Sequence, residues 1–232
     1  MRIRVLHLLE GANEATGTTV IIDVFRAFTV EAYYMQGGAD TVIPVADEEL
    51  ARALKRQNPS CILAGERHGR ILPGFDYGNS PSQIQNIDFT GKTVIHTTSS
   101  GTQGLAGARR ADEILTGSLV NARAIAEYIR RSGAQDVSLV CMGLGGRVRS
   151  EEDTLCAEYI KSLLEGNPLP LQDAIEDLKR TSGAKFFDLA QQDVFPEQDF
   201  YLSTEADKFP FVLKVEKGTD GFSYVRKIDI AL

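Results

Sequence analysis

Four short segments of the sequence concentrate the residue types that handle charged small molecules. The first, "DVFRAFT" (Asp23 to Thr29), ends an apolar run with a carboxylate and sets Arg26 at the start of a helical pattern. A carboxylate there can hold Mg²⁺ or act as a nucleophile. An arginine in a first helical turn can fork onto a phosphate or carboxylate beside the helix N-terminal dipole. The plain alternative is an N-cap aspartate paired with Arg26. The second segment, "GERHGRILPGFDYGNSP" (Gly65 to Pro81), carries Glu66, Arg67, His68, Asp76 and Asn79 around a Pro-Gly break that rules out one regular helix or strand.

The third segment, "HTTSSGT" (His96 to Thr102), follows a strand pattern and precedes a helix of small residues. Hydroxyls and backbone N–H groups at such a turn can cradle an anion, and Gly101 permits close backbone approach. A Ser/Thr-rich helix cap is the plain alternative. The fourth, "GLGGRVRSEED" (Gly143 to Asp153), joins a Gly turn and Arg147 to Glu152 and Asp153. Its Ser150 and Asp153 have capping-box spacing, which by itself accounts for most of the acids.

Asp23, Glu66 and Asp76, with Glu152 and Asp153 as further candidates, form an all-oxygen donor set suited to a hard cation such as Mg²⁺. The three histidines have no metal-ligand spacing, which argues against zinc. His68 is a candidate acid/base group in a polar loop, or a solvated loop residue. Aspartyl phosphatases that need a second Asp two residues after the first are excluded, because Phe25 stands there. "TGKT" (Thr90 to Thr93) lacks the first Gly of a phosphate loop and precedes a strand, and "GLGG" has Val148 where a dinucleotide fingerprint needs Gly.

The elements that must position these groups are legible from periodicity. Apolar, β-branched runs recur at Thr18 to Val24, Asp40 to Val45, Cys61 to Glu66, Lys92 to Thr98, Glu113 to Ser118 and Asp136 to Gly143, and "MRIRVLH" reads as a first strand. Helical patterns lie between several of them, as at Phe25 to Met35, Leu50 to Leu54 and Ile125 to Ile129. Alternation of this kind predicts a three-layer α/β/α fold with a mainly parallel sheet in one catalytic unit, 1–232. Residues 18–86 and 92–165 share the order strand, polar turn, small-residue helix, strand, amphipathic helix, strand and Gly/Arg loop, which reads as two similar intertwined halves from an internal duplication. Equivalent strand ends would then converge on one crevice, where open α/β sheets bind ligands. Residues 166–232 turn to helices and then to "DFYLSTE", "FVLKVEK" and "FSYVRKIDI", the last two joined by "GTDG" as a β-hairpin. This part is poor in catalytic groups and reads as structure or a substrate lid.

A net charge of −7 argues against a nucleic-acid partner or an anionic membrane surface, so an anion must be drawn by a local site. No apolar run approaches the ~20 residues of a membrane helix. Cys61, Cys141 and Cys156, odd in number and without CxxC spacing, indicate a reducing cytoplasm and packing roles, with Cys141 the best placed for a thiol nucleophile.

The segments "VIIDVFRAFT", "DTVIPVA", "AGERHGRILPGFDYGNSP", "GKTVIHTTSSGT", "TGSLVNA" and "CMGLGGRVRSEED" together resemble the 2-phosphosulfolactate phosphatases, Mg²⁺-dependent enzymes of coenzyme M biosynthesis. The chain departs modestly from that pattern: Ser100 stands where many relatives carry Asn, and the "RVRSEED" spacing is one residue longer. The resemblance implies hydrolysis of 2-phospho-3-sulfolactate to 3-sulfolactate and phosphate. Asp23 and Glu66 would be the metal-binding or nucleophile-activating carboxylates, Arg26 and Arg67 the anion clamps, and Thr98, Ser99, Ser100 and Gly101, with Asn79 and Arg147, the binders of a small anionic phosphorylated substrate. Other expectations are a phosphatase for another phosphorylated hydroxy acid and a non-catalytic receptor for anionic metabolites. A homo-oligomer is compatible with either.

Overall fold

The computed structural model describes residues 1–231, and each apolar run becomes a strand: β1 (Arg2–His7), β2 (Gly17–Ile22), β3 (Thr41–Pro44), β4 (Ile62–Arg67), β5 (Arg70–Ile71), β6 (Thr93–Thr97), β7 (Ala111–Gly117), β8 (Asp136–Cys141), β9 (Phe211–Lys217) and β10 (Ser223–Asp229). The helices are α1 (Leu8–Glu14), α2 (Ala27–Gln36), α3 (Glu48–Gln57), α4 (Pro81–Ile84), α5 (Gly101–Gly107), α6 (Ala122–Ser132), α7 (Glu151–Leu164), α8 (Gln172–Leu178) and α9 (Glu197–Thr204). The ten strands form one sheet in the order β1-β8-β2-β7-β9-β10-β3-β6-β4-β5. β1, β8, β2 and β7 run parallel, as do β3, β6 and β4. The expected α/β class with a mostly parallel sheet is what the chain adopts.

The period-two pleat explains why helices cover both faces. Val20 and Ile22 of β2 pack with Ile125 and Ile129 of α6 and Ile160 of α7, whereas Ile21 between them packs with Ala12 of α1 and Phe28 of α2. On the other part of the sheet, Val42 and Val94 meet Tyr34 of α2, and Ile43 and Ile95 meet Ala51 of α3.

β2 lies between β7 and β8, and β6 lies between β3 and β4, so segments 18–86 and 92–165 each insert one strand between two of the other. The halves are therefore intertwined; their origin by duplication is our proposal. The C-terminal hairpin is not an appendage. β9 pairs antiparallel with β7 and β10 with β3, placing the hairpin at the middle of the sheet, where it joins the two parallel parts. "DFYLSTE", just before it, is helical and lies mostly in α9, with Glu197 and Asp199 in its first turn where acids favour the helix dipole. Among the described residues, no helix is long and apolar enough to cross a membrane.

Candidate active site

Parallel strands release their C-terminal ends on one edge of the sheet, and the chain turns there into helix N-termini. Asp23 leaves β2 at this edge. It is 7% exposed and accepts a hydrogen bond at Oδ1 from the Ala27 N–H of α2 (3.2 Å). The Gly101 N–H at the start of α5 also supports its carboxylate. Gly101 lets the start of α5 lie close against the site, since a Cβ there would stand 2.9 Å from the Phe28 ring and 3.1 Å from Asp23 Oδ2. Burial, followed by the nearby charges of Glu66 and Glu152, pushes the Asp23 carboxyl up to about 7.

Glu66, near the end of β4, binds with both oxygens: Ser99 N–H donates to Oε1 (2.8 Å) and Gly69 N–H to Oε2 (2.7 Å). It thereby ties the "GERHG" turn to the "TTSSG" turn, the two loops that flank Asp23. Asp153, in the first turn of α7, plays a corresponding part on the other side. Val24 N–H donates to its Oδ1 (2.8 Å) and Gly143 N–H to its Oδ2 (2.7 Å), stapling the ends of β2 and β8. Burial, then Glu152, then Asp23 hold the Asp153 carboxyl well above the usual range. Glu152 is 5% exposed, and its Oε2 has no hydrogen-bond partner among the described residues. Burial likewise raises its pKa, opposed first by the neighbouring Ser182 side chain and then by Lys185.

Arg26 is buried and its guanidinium is engaged: Nη1 donates to Asp199 Oδ2 (2.6 Å) and to the Val194 carbonyl (2.9 Å), and Nη2 to the Gly69 carbonyl (3.1 Å). It also borders a cavity of about 170 Å³ with Gly69, Arg70, Asn79, Ser80 and Val194. A larger groove of about 400 Å³ between α6 and the end of α7 is remote from this chemistry; of its arginines, Arg130 and Arg131 pair with Glu127 and Arg123 with Asp207. Arg67 donates inward, from Nη1 to the Glu66 carbonyl (2.7 Å) and from Nη2 to Thr97 Oγ1 (3.1 Å).

The "TTSSG" turn is cap and candidate cradle together. Thr102 N–H donates to Thr98 Oγ1 and Thr98 N–H to Thr102 Oγ1, each at 3.1 Å, so the Thr98 hydroxyl serves the helix cap. Ser99 lies beside Glu66, and its buried Oγ has no partner among the described residues, while Ser100 stands at the N-cap of α5 without a side-chain cap hydrogen bond. Asn79 Oδ1 lies 2.9 Å from His96 Nε2, and His96 Nδ1 lies 3.1 Å from Glu31 Oε1, with His96 and Glu31 wholly buried.

Asp76, Arg147, Cys141 and His68 have other surroundings. Asp76 is not with the other carboxylates: its Oδ2 accepts from the Leu63 N–H (2.7 Å) and Lys55 Nζ (3.0 Å), anchoring the loop to the start of β4 rather than to its end. Arg147 is exposed in the Leu144–Val148 turn and forms no side-chain hydrogen bond or ion pair with the other described residues. Cys141 is buried, with its thiol pKa pushed up by burial and then by Asp153, the opposite of an activated nucleophile. His68 is exposed at the tip of the β4–β5 turn.

Sequence reasoning missed Lys185 and Asp199, both from the C-terminal part. Lys185 is partly buried beside Glu152, Asp23 and Asp153. Asp199 is fully buried, and besides Arg26 it accepts from Ser80 Oγ (3.0 Å) and Ser82 N–H (2.9 Å). The acidic first turn of α9 was the available signal for Asp199; Lys185 carried none.

The donor set is compatible with Mg²⁺. Among the described residues, no three His, Cys, Asp or Glu side chains converge into a ready-made ligand set. Mg²⁺, however, is commonly held through one or two carboxylates together with waters and substrate phosphate. The unpartnered Glu152 Oε2 and the buried Asp23 are oxygen donors of that kind.

A family profile described as 2-phosphosulpholactate phosphatase matches residues 5–218. A probable 2-phosphosulfolactate phosphatase of Bacillus subtilis is 35% identical over 202 residues, covering 85% of this chain and 86% of the relative. Proteins described in the same words are 40% identical in Caldicellulosiruptor saccharolyticus (64% of this chain, 62% of the relative) and 32% identical in Caldanaerobacter subterraneus (86% and 88%).

Proposed function

The chain belongs to the 2-phosphosulpholactate phosphatase family, and from that premise we propose that it hydrolyses the phosphate ester of 2-phospho-3-sulfolactate with the help of Mg²⁺, in the reducing cytoplasm and as a step of coenzyme M biosynthesis. The observation that carries the reading is the gathering of Asp23, Glu66, Glu152 and Asp153 at the C-terminal strand ends, with Arg26 and Lys185 beside them. Glu66 and Asp153 staple loops and would serve a receptor for anions as well, but such a receptor gains nothing from Asp23 buried near the unpartnered Glu152. An enzyme that must bring a nucleophile and a charged phosphoryl group together does.

Uncatalysed hydrolysis of a phosphate monoester is so slow that the site must lower its barrier by roughly 20 kcal/mol or more. Asp23 is the carboxylate that acts on the reacting centre, held in place by the N-termini of α2 and α5. Glu66 fixes the two flanking loops, so their N–H groups and the Ser99 hydroxyl keep a set geometry before substrate arrives. Asn79, oriented by His96, and Ser80 offer polar groups along the cavity beside Arg26. Mg²⁺, which Asp23 and Glu152 would hold, supplies neutralisation of the phosphoryl oxygens when bound.

The test is phosphate release from 2-phospho-3-sulfolactate and a panel of phosphorylated hydroxy acids, with Mg²⁺ or with EDTA. The reading expects Mg²⁺-dependent release that is fastest for the sulfonated substrate. Equal turnover in EDTA removes the metal; release from another phospho-acid alone changes the substrate; no release from any of them removes the activity.

A further inference from the structure

The C-terminal segment contributes a cation that the sequence gives no reason to place near the carboxylates. Phe186, in the 3-10 turn Ala184–Phe187, is fully buried with Leu178 and Phe200, and this cluster also packs against Phe25, Leu155 and Phe195. Phe25 is two residues from Asp23 and Leu155 is three from Glu152, so the cluster docks the turn onto the two elements that carry those acids. Lys185, adjacent to Phe186, is thereby fixed. Its Nζ lies 5.7 Å from the centre of the Phe25 ring, 5.5 Å from Phe186 and 5.4 Å from Phe195. The Arg26 guanidinium stands 4.9 Å from Phe195 and 5.8 Å from Phe186, so both cations border the same pair of rings.

Their hydrogen bonding differs. Arg26 is tied to Asp199, whereas Lys185 has no carboxylate within 4 Å among the described residues, unlike Lys55, Lys161, Lys179, Lys208, Lys214 and Lys227. Ser182 and Glu152 neighbour one another, and among the described residues neither Ser182 Oγ nor Glu152 Oε2 has a hydrogen-bond partner of good geometry. A partly buried cation on a stem among aromatic rings, near acids it does not touch, retains its donors for something that comes between. A phosphoryl group carries several anionic oxygens and can meet an ammonium on one side and the carboxylate side of the site on the other.

We propose that Lys185 is a substrate-binding residue of this site, donating from Nζ to an oxygen of the phosphoryl group and so completing from the C-terminal segment a site whose acids come from the strand ends. The proposal rests on the phosphatase reading. The alternative role is purely structural, as a counter-charge to Glu152 and a cap on the aromatic cluster.

Full-length protein with Lys185→Met and Lys185→Arg decides between them by calorimetric titration with inorganic phosphate in Mg²⁺ buffer, steady-state kinetics on the best phosphate ester, and melting curves. Substrate binding predicts at least a tenfold loss of phosphate affinity and a matching rise in KM for Lys185→Met, partial recovery with Lys185→Arg, and little change in melting temperature. A purely structural role predicts lower melting temperature with phosphate affinity and KM unchanged in the folded protein, and that result overturns the proposal. If Lys185→Met does not fold, Lys185→Gln keeps a polar head and gives the same readout. Lys185-dependent phosphate binding in a protein that cleaves no ester would end the phosphatase reading while leaving this inference standing; turnover unaffected by any Lys185 variant would do the reverse.

Discussion

If Asp23 acts on the phosphoryl group as proposed, it is the residue on which catalysis and stability pull in opposite directions. Its carboxyl has an ordinary value of 3.8 and titrates at about 7 in the folded chain, chiefly because of burial. Between those values the folded state binds a proton that the unfolded state releases, so stability falls as pH rises from about 4 to about 7 and stays reduced above. Asp23→Asn removes that charge and keeps one oxygen acceptor. In EDTA at pH 8 it should melt higher than wild type, by an amount corresponding to a few kcal/mol at most, and show a flatter dependence of melting temperature on pH. A melting series from pH 5 to pH 8 on both proteins checks this. Gly101→Ala tests the same carboxylate sterically. Its methyl group would crowd the Phe28 ring at 2.9 Å and Asp23 Oδ2 at 3.1 Å, so kcat/KM should fall about tenfold to a hundredfold while the circular dichroism spectrum is preserved. Unchanged kinetics would mean that the spacing between α5 and Asp23 is not critical.

At the scale of elements, the loops around the site are held from behind by α9. Asp199 accepts from Arg26, Ser80 and Ser82 and is fully buried, as is nearly all of the Arg26 side chain. Removing one partner of such a pair strands the other without a counter-charge. Asp199→Ala should therefore destabilise by about 3–5 kcal/mol, measurable by urea denaturation, and loosen the Asn79–Ser80 loop that borders the cavity. A loss below 1 kcal/mol would show that Arg26 finds another partner. Much of this scale was legible in the sequence, because the apolar, β-branched run ending at Asp23 and the alternation of Val42 and Ile43 state their own period. The long-range contacts were not. No local period reports that Asp199 reaches Arg26, or that Asp76 turns back to Leu63 instead of toward Asp23. Lys185 escaped for the same reason: its neighbours in sequence, Ala184 and Phe186, are apolar, and its acidic neighbours in space come from the end of β2 and from α7.

For the whole molecule, the decisive feature is the hairpin within the sheet. A hairpin signal is local, so the sequence revealed β9 and β10 through "GTDG", but strand order depends on pairings more than 100 residues apart. β9 and β10 join the two parallel parts, and Phe211, Leu213 and Val225 are buried in the core beside α2. Truncation after Thr204 should then prevent folding rather than remove an ornament, with loss of the cooperative melting transition as the readout. A truncated chain that melts cooperatively would show that the two parallel parts can pair without the hairpin.

The central claim is that the acids gathered at the strand ends form a phosphatase site with Asp23 at its centre. It is tested most directly by phosphate release from 2-phospho-3-sulfolactate in Mg²⁺ buffer, measured side by side for wild type and Asp23→Asn at protein concentrations where both are folded. The expected result is turnover by wild type and a loss on the order of 10³-fold or more in kcat for the variant. An Asp23→Asn protein that releases phosphate at the wild-type rate would contradict the claim.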